Sequence, residues 1–542
     1  MRPSSSRARR SSAGPSWSSS SPAARPACRS ERGARVETHP YAPKASFDGG
    51  DLDCGNGLLL LIRKHIDPLE AGELLEIRSR EISVPEDLPA WCRLTGNELV
   101  SHLSQGREHS FLVAKGKFAP ERARAAASRA AMPLQQSVRA VTIPSVLPAP
   151  APAPSIAPLS VMGVGSWPRP AWLLDALHRR LEGRLDAAQF EAAAEDAVRL
   201  CVDAQLRAGV DVITDGEMRR DNYASFVGGL LDNCQLIPIT DLLPYVEHPE
   251  EFERELRALD VPAGKVRHPA VFGPLGRSQP LALHEARFLR TLSERPIKVA
   301  LPGPYLLTRT MWMECISDRA YANREDLARD VVRVLREELA DLLAEGVSLV
   351  QFDEPVLSEV VFGHARERRT FMCGALGEKL ETPRELAFAE QLLAELTRGF
   401  PRERLALHVC RGNWSPDESV ALHGDYAPLL PLLARAPVGT LFLELCTPRA
   451  GDGGLLTELP RDKRIGIGAV NQKRSEVETP EQIRAHVEPL IERLGPERVL
   501  LNPDCGFATF ADNPLASAAV AQAKLAALVQ AARELRAKFR VG

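Results

Sequence analysis

No apolar run in this chain approaches the ~20 residues that a membrane-spanning helix needs, so no spanning segment is expected. An excess of one charge is missing too. Lys and Arg total 68 against 71 Asp and Glu, a net charge of −3, which gives no electrostatic reason to expect nucleic acid or an anionic membrane as a partner. Cysteine is sparse, ten in 542 residues, and has no framework spacing. Such cysteines are more often core, metal or catalytic residues than disulfides. Acidic residues are absent before Glu31, in a tail to about Ala45 that is rich in Ser, Arg, Pro and Ala. That composition also fits a transit peptide. Without an apolar stretch for secretion, it reads as a disordered tail or an upstream-extended start on a cytoplasmic protein.

A length of 542 residues suggests two to four domains. After the tail, residues 46–118 form a compact unit of apolar patches and acidic turns. A helical stretch, roughly Pro120 to Ala131, leads into Pro144–Pro158, where alternating Ala and Pro favour an extended, semi-rigid spacer. From residue 158 to 542, short β-branched or apolar runs alternate with longer helical patterns such as Leu185–Arg207 and Arg324–Glu345. The expected strands are Val161–Gly165, Val210–Thr214, Ile297–Leu301, Ser348–Phe352, Leu405–Cys410, Thr440–Leu445, Ile465–Val470 and Val499–Asn502. Eight βα units, with the polar residues gathered at strand C-terminal ends, point to an α/β chain whose C-terminal part is a (β/α)8 TIM barrel. Residues from about Asn222 to Glu294 look like an insertion on its active face.

The chemistry sits at those strand ends. In the run Leu405–Cys410, His408 and Cys410 alternate with Val409 and so share a face. The next strand delivers Glu444, and the last runs into Asn-Pro-Asp-Cys-Gly with Cys505 at its tip. Imidazole, two thiols and a carboxylate make a ligand set suited to tetrahedral Zn2+. Each alone is more often a satisfied core residue. Cys446 competes with Glu444 for the same face, but a carboxylate on an apolar strand needs the compensation a metal gives. Zinc would turn a substrate thiol into a thiolate at neutral pH, with Glu444, the hardest ligand, the one to loosen. At other tips, Gly165 and Ser166 could hold a carboxylate, and Glu217 and Asp353 an ammonium. Together these would suit an amino acid.

These motifs resemble a known family. Gly-Val-Gly-Ser-Trp-Pro-Arg-Pro (163–170), Asp-Val-Ile-Thr-Asp-Gly-Glu-Met-Arg-Arg-Asp (211–221), Leu-Pro-Gly-Pro-Tyr (301–305), Val-Gln-Phe-Asp-Glu-Pro-Val-Leu-Ser-Glu (350–359), Leu-His-Val-Cys-Arg-Gly-Asn (407–413), Leu-Phe-Leu-Glu-Leu (441–445) and Asn-Pro-Asp-Cys-Gly-Phe (502–507) are similar to the catalytic barrel of cobalamin-independent methionine synthases. The likeness is nearest to their short, single-barrel branch and covers Val161 to about Leu535. It implies zinc on His408, Cys410, Glu444 and Cys505, and homocysteine held by Val164, Gly165, Ser166, Glu217 and Asp353. The methyl donor would be methyltetrahydrofolate or a methylcorrinoid protein. The second, N-terminal barrel of the long enzymes is absent. Asn471 stands where they carry a histidine, and a neutral amide cannot do acid–base work, so Asn471 is expected at most to contact substrate.

The segment Phe47–Lys117 resembles a TusA-type sulfur carrier, an α+β domain in which Cys54 would carry a persulfide and pair with a sulfur-relay protein. Gly55 and Gly57 replace that family's prolines. Two other readings stay open: an alkyltransferase acting on another thiol, with sulfur delivered by the N-terminal domain, and a non-catalytic binding or regulatory protein with a degenerate barrel.

Overall fold

The computed structural model describes residues 39–52, 57–118, 138–181, 184–238, 267–312, 317, 320–363, 381–413, 416–451, 453–511 and 514–541. The first strand, Ala45–Asp48 (β1), alternates buried and exposed residues, the pattern of a sheet covered on one face. Leu58–Ile66 (α1), Leu74–Ser79 (β2), Val84–Thr95 (α2), Glu98–Gln105 (β3) and Glu108–Ala114 (β4) follow. The sheet order is β1-β2-β4-β3, with β1 parallel to β2 and the other pairs antiparallel. Leu58, Ile62, Ile77, Leu88 and Phe111 give this α+β unit a core of its own. The tail expected to run to about Ala45 ends sooner: His39 bonds Ser101 and Ser110, and Ala45 already opens β1. Its residues before 39 and the helical stretch expected at Pro120–Ala131 lie outside the described residues.

The Ala-Pro segment has no regular secondary structure, but it is tied down. Ala151 donates its N–H to Leu343 and accepts from Arg404, and Ile156 packs against the apolar floor of the barrel. The small unit touches the expected insertion, which forms an antiparallel ribbon of Asp232–Pro238 (β5) and Arg267–Gly276 (β6). Gln235 donates to the Arg63 carbonyl at 3.1 Å, and the Lys64 ammonium lies 4.4 Å from the Phe272 ring centre.

Beyond the ribbon come Lys298–Pro302 (β7), Leu349–Asp353 (β8), Leu405–Val409 (β9), Thr440–Leu443 (β10), Arg464–Val470 (β11) and Val499–Pro503 (β12). They form one parallel sheet in sequential order. Parallel bridges Val161–Leu501, Met162–Val212 and Ile213–Ile297 add the two remaining segments and close the ring. The eight expected strand positions are thus the eight observed ones, the first two reduced to bridges. Met162, Val212, Leu349, Ala406, Phe442 and Leu500 fill the floor. Every residue of β7, β8, β9, β10 and β12 is buried, as expected where helices cover a closed sheet. Helices Ala187–Ala208 and Pro480–Leu494 begin with capping boxes at Asp186 and Thr479, each worth about 1 kcal/mol. No helix among the described residues is long and apolar enough to cross a membrane.

Candidate metal and substrate site

Parallel pairing places Asp353, the last residue of β8, opposite His408 on β9. Their side chains meet: His408 Nδ1 lies 2.8 Å from Asp353 Oδ1. That bond turns Nε2 outward, where it is buried without a hydrogen-bond partner. An oriented imidazole with a free, desolvated nitrogen is what a metal ligand requires. Burial opposes protonation of His408, but the Asp353 carboxylate outweighs it and the pKa rises.

The ligand atoms of His408, Cys410 and Cys505 all lie within 4.8 Å of one another, and all three residues are buried. Cys505 donates to Cys410 and pulls its thiol down to about 7. The same contact, with burial, holds Cys505 well above the ordinary thiol range. Asn413 ties the two cysteine-bearing loops together, donating to the Gly506 carbonyl and to Thr509 Oγ1 at 2.7 Å each. Tyr426 joins the ends of β9 and β10: its hydroxyl donates to the Val409 carbonyl at 3.1 Å and accepts the Glu444 N–H at 3.0 Å.

Glu444, expected as the fourth ligand, is buried at the end of β10 but is not drawn into the three-residue cluster. Its Oε1 pairs with Arg449, and its Oε2 accepts the Arg411 N–H at 2.9 Å. Cys446 is not in the cluster either. Two backbone N–H groups, of Leu445 and Cys446, are held by Asp504.

A pocket opens beside the cluster and is lined by Val164, Gly165, Ser166, Glu217, Asp353, His408, Cys410 and Cys505, among others. Five expected substrate residues therefore meet three expected ligands. Asn471 is not on that wall. Its amide donates to Glu418 at 3.1 Å and its oxygen accepts the Lys473 N–H at 2.9 Å. Close approach explains two glycines: a Cβ on Gly165 would lie 2.2 Å from Glu217 Oε1, and one on Gly506 would lie 2.2 Å from Ser166 Oγ. Glu217 adopts φ +56, a left-handed conformation costly for a residue with a side chain. Its Oε2 is buried without a partner. Burial pushes its carboxyl up to about 7 against the opposing pull of Arg220.

A buried relay supports Asp353 from below and was not foreseen from the sequence. Lys298 Nζ donates to Gln351 Oε1, and Gln351 Nε2 donates to Asp353 Oδ1, both at 2.7 Å. Asp353 Oδ1 is thus fully engaged. Burial draws the Lys298 ammonium down to about 7. Arg220, one of the two arginines after Glu217, is structural: it pairs with buried Glu285 at 2.6 Å and fastens the insertion to the barrel.

The family model described as "Cobalamin-independent synthase, Catalytic domain" matches residues 159–247, 257–382 and 425–534. A methionine synthase of Saccharolobus solfataricus is 24% identical over 378 residues, which is 70% of this chain and 95% of that protein. One from Sulfolobus acidocaldarius is 26% identical over 354 residues, 65% and 86% of the two chains. Among solved structures, a B12-independent methionine synthase from Shewanella sp. W3-18-1 aligns with a TM-score of 0.54 and 23% identity, covering 71% of this chain and 99% of that one. The fold is shared, and the chain belongs to the cobalamin-independent synthase catalytic-domain family.

Proposed function

We propose that this protein is a zinc-dependent methyltransferase that moves a methyl group from a folate or corrinoid donor to the thiol of homocysteine, giving methionine. One observation carries the reading: a His408–Cys410–Cys505 cluster with a free Nε2 shares a pocket with Ser166, Glu217 and Asp353. The two relatives named methionine synthase, spanned over most of their length, support it.

His408, Cys410 and Cys505 would hold the zinc, with Glu444 as a further ligand. When bound, zinc supplies a Lewis acid that keeps a thiol ionised at neutral pH. Asp353 and Glu217 would receive the substrate ammonium, since Glu217 Oε2 has no other partner. Ser166 and the backbone after Val164 would take its carboxylate. The chain thereby fixes the sulfur for in-line attack on the methyl carbon: the S–C bond forms as the bond from methyl to donor breaks.

The test is methionine formation by zinc-loaded protein with methyltetrahydrofolate and with methylcobalamin offered separately. Product from either supports the assignment. Zinc-loaded protein that makes none from both would discard homocysteine methylation and leave alkylation of another thiol. A degenerate, non-catalytic barrel is disfavoured because both cysteines and the histidine still converge.

A second expectation concerns Glu217. A carboxyl whose pKa rises to about 7 in the folded protein binds its proton more tightly than in the unfolded chain. Its stabilising contribution is present at low pH and is lost as pH climbs through 7. Glu217→Gln should therefore raise Tm at pH 8, by roughly 2 °C or more, and flatten the stability profile between pH 5 and 7. The KM for homocysteine should increase about tenfold or more with the loss of a charged partner. Thermal melts across pH with steady-state kinetics check both.

For the N-terminal unit, its α+β fold supports kinship with TusA-type carriers. Cys54 lies outside the described residues, shortly before α1, which starts at Leu58 with Gly57 as its cap. The contacts of α1 with the β5–β6 ribbon favour cooperation between the units. Loading with labelled sulfur by a cysteine desulfurase decides it: equal loading of Cys54→Ser ends the carrier role.

A further inference from the structure

The pocket wall carries three carboxylates, of Glu217, Asp353 and Glu359, and no Lys or Arg among the described residues. A substrate carboxylate would meet a wall of its own sign, except at the backbone of residues 164–167. Three carbonyls in a row are engaged there. Val164 accepts from Lys298 Nζ at 2.6 Å, Gly165 from Thr214 Oγ1 at 3.3 Å, and Ser166 from the Phe507 N–H at 3.0 Å. The Trp167 N–H donates to the Gly216 carbonyl at 3.0 Å. Gly165 and Ser166 are buried, and their own N–H groups have no partner among the described residues. Buried backbone donors are rarely left over, and two in succession make a concavity for an anion. A trans peptide sets its carbonyl and its N–H on opposite sides. Lys298 grips the Val164 carbonyl from off the pocket wall, so the Gly165 N–H of the same peptide points the other way, to the pocket that Gly165 lines.

We propose that Lys298 is a positioning residue for the substrate carboxylate: acting through the Val164–Gly165 peptide, it turns that N–H to the pocket and strengthens it as a donor. The proposal rests on the homocysteine reading above, which puts a carboxylate there. Lys298 is 1% exposed, and its direct partners are all neutral: the Val164 carbonyl, Gln351 Oε1 at 2.7 Å and the face of Phe442, with the ring centre at 4.5 Å. Its charge is therefore not cancelled in place. Burial works against that charge, and Asp353, Glu217 and Cys505 favour it from further off. A cation on the carbonyl end of a peptide dipole makes the N–H at the other end a better donor to an anion. The other buried cations nearby are occupied elsewhere. Arg169 donates to the carbonyls of Ala508 and Glu217, Arg220 pairs with Glu285, and Lys473 faces Glu444, Cys410 and Cys505. Through Gln351, the same ammonium also steadies Asp353 at the opposite, ammonium-binding end of the site.

The test compares ligands that differ by one group, on zinc-loaded, full-length protein. They are methionine, its decarboxylated analogue methylthiopropylamine and its deaminated analogue methylthiobutanoate, each titrated by calorimetry. Wild type should bind methionine about tenfold or more tighter than the amine. In Lys298→Met, of similar length but uncharged, methionine and methylthiobutanoate should each weaken about tenfold, while the amine shifts less than about threefold. The preference for a carboxylate then collapses. Lys298→Gln, which carries a donor but no charge, should fall between. A general structural defect would weaken all three ligands alike. A loss confined to the two ligands with an ammonium would mean that Lys298 serves only Asp353, through Gln351. Either result overturns the proposal, as does an unchanged preference in Lys298→Met. Wild type with no preference for methionine over the amine overturns it without any variant. Wild type that binds none of the three overturns it together with the homocysteine reading, whereas wild type that prefers methionine beside an unmoved Lys298→Met removes only the role of Lys298.

Discussion

Cys410→Ser is expected to strip the protein of zinc and to lower methionine formation ~100-fold or more, with the fold retained. Loss of an outer partner of a metal ligand already costs about 10- to 100-fold in metal affinity or activity, and Cys410 is a direct ligand in the proposed site. Its sulfur accepts from Cys505, a contact that lowers its pKa, and as a thiolate it would be a soft ligand suited to zinc. Serine, whose hydroxyl does not ionise in this range, cannot replace it. The fold should survive because Cys410 lies just past β9, whose pairing with β8 and β10 runs through backbone groups. Metal analysis of purified protein, with circular dichroism in parallel, separates a lost ligand from a lost fold. A variant that keeps stoichiometric zinc and wild-type turnover would remove Cys410 from the site. Cys505→Ser should behave alike.

The barrel was legible in the sequence because each of its strands is a short apolar run bounded by turn residues. The polar residues that break the pattern sit at strand ends, where a closed parallel barrel gathers them. His408 and Cys410 could be paired from strand alternation alone, and Cys505 followed from its position after the last strand. What the sequence could not carry is register. Nothing in Leu349–Asp353 or Leu405–Val409 says that Asp353 will stand opposite His408, yet that pairing orients the imidazole. Lys298 was equally hidden: an ammonium in an apolar strand becomes intelligible only once Gln351 and the Val164 carbonyl are seen to receive it. Glu444 was expected to find its compensation in the metal; it is buried as expected, but its partner in the structure is Arg449. The missed signal was Arg449, five residues on in an irregular turn, whose direction no periodicity reveals. Asn471 was assigned by position in a motif, and the competing carboxylate of Glu418 claimed it.

Asp353→Asn is expected to damage two functions at once, and by unequal routes. Oδ1 of Asp353 accepts from His408 Nδ1 at 2.8 Å and from Gln351 Nε2 at 2.7 Å. Both donors converge on that one oxygen, and an amide can place either its oxygen or its nitrogen there. If that oxygen stays with His408, an uncharged acceptor replaces a carboxylate behind the imidazole. Zinc affinity should then fall about 10- to 100-fold, the usual cost of losing such a partner. If the amide turns its nitrogen toward His408, the imidazole is pushed to the other tautomer, and Nε2 carries the proton where the metal should bind. Either orientation also removes a negative charge from the pocket that is proposed to take the substrate ammonium, so KM for homocysteine should rise about tenfold or more even at saturating zinc. Measuring KM across a zinc titration separates the two effects. A defect that saturating zinc abolishes would mean that Asp353 serves His408 alone, whereas one that zinc leaves untouched would deny it any hold on the metal. Restoration of metal occupancy without restoration of KM is the expected outcome, because one carboxylate then orients the ligand and meets the substrate.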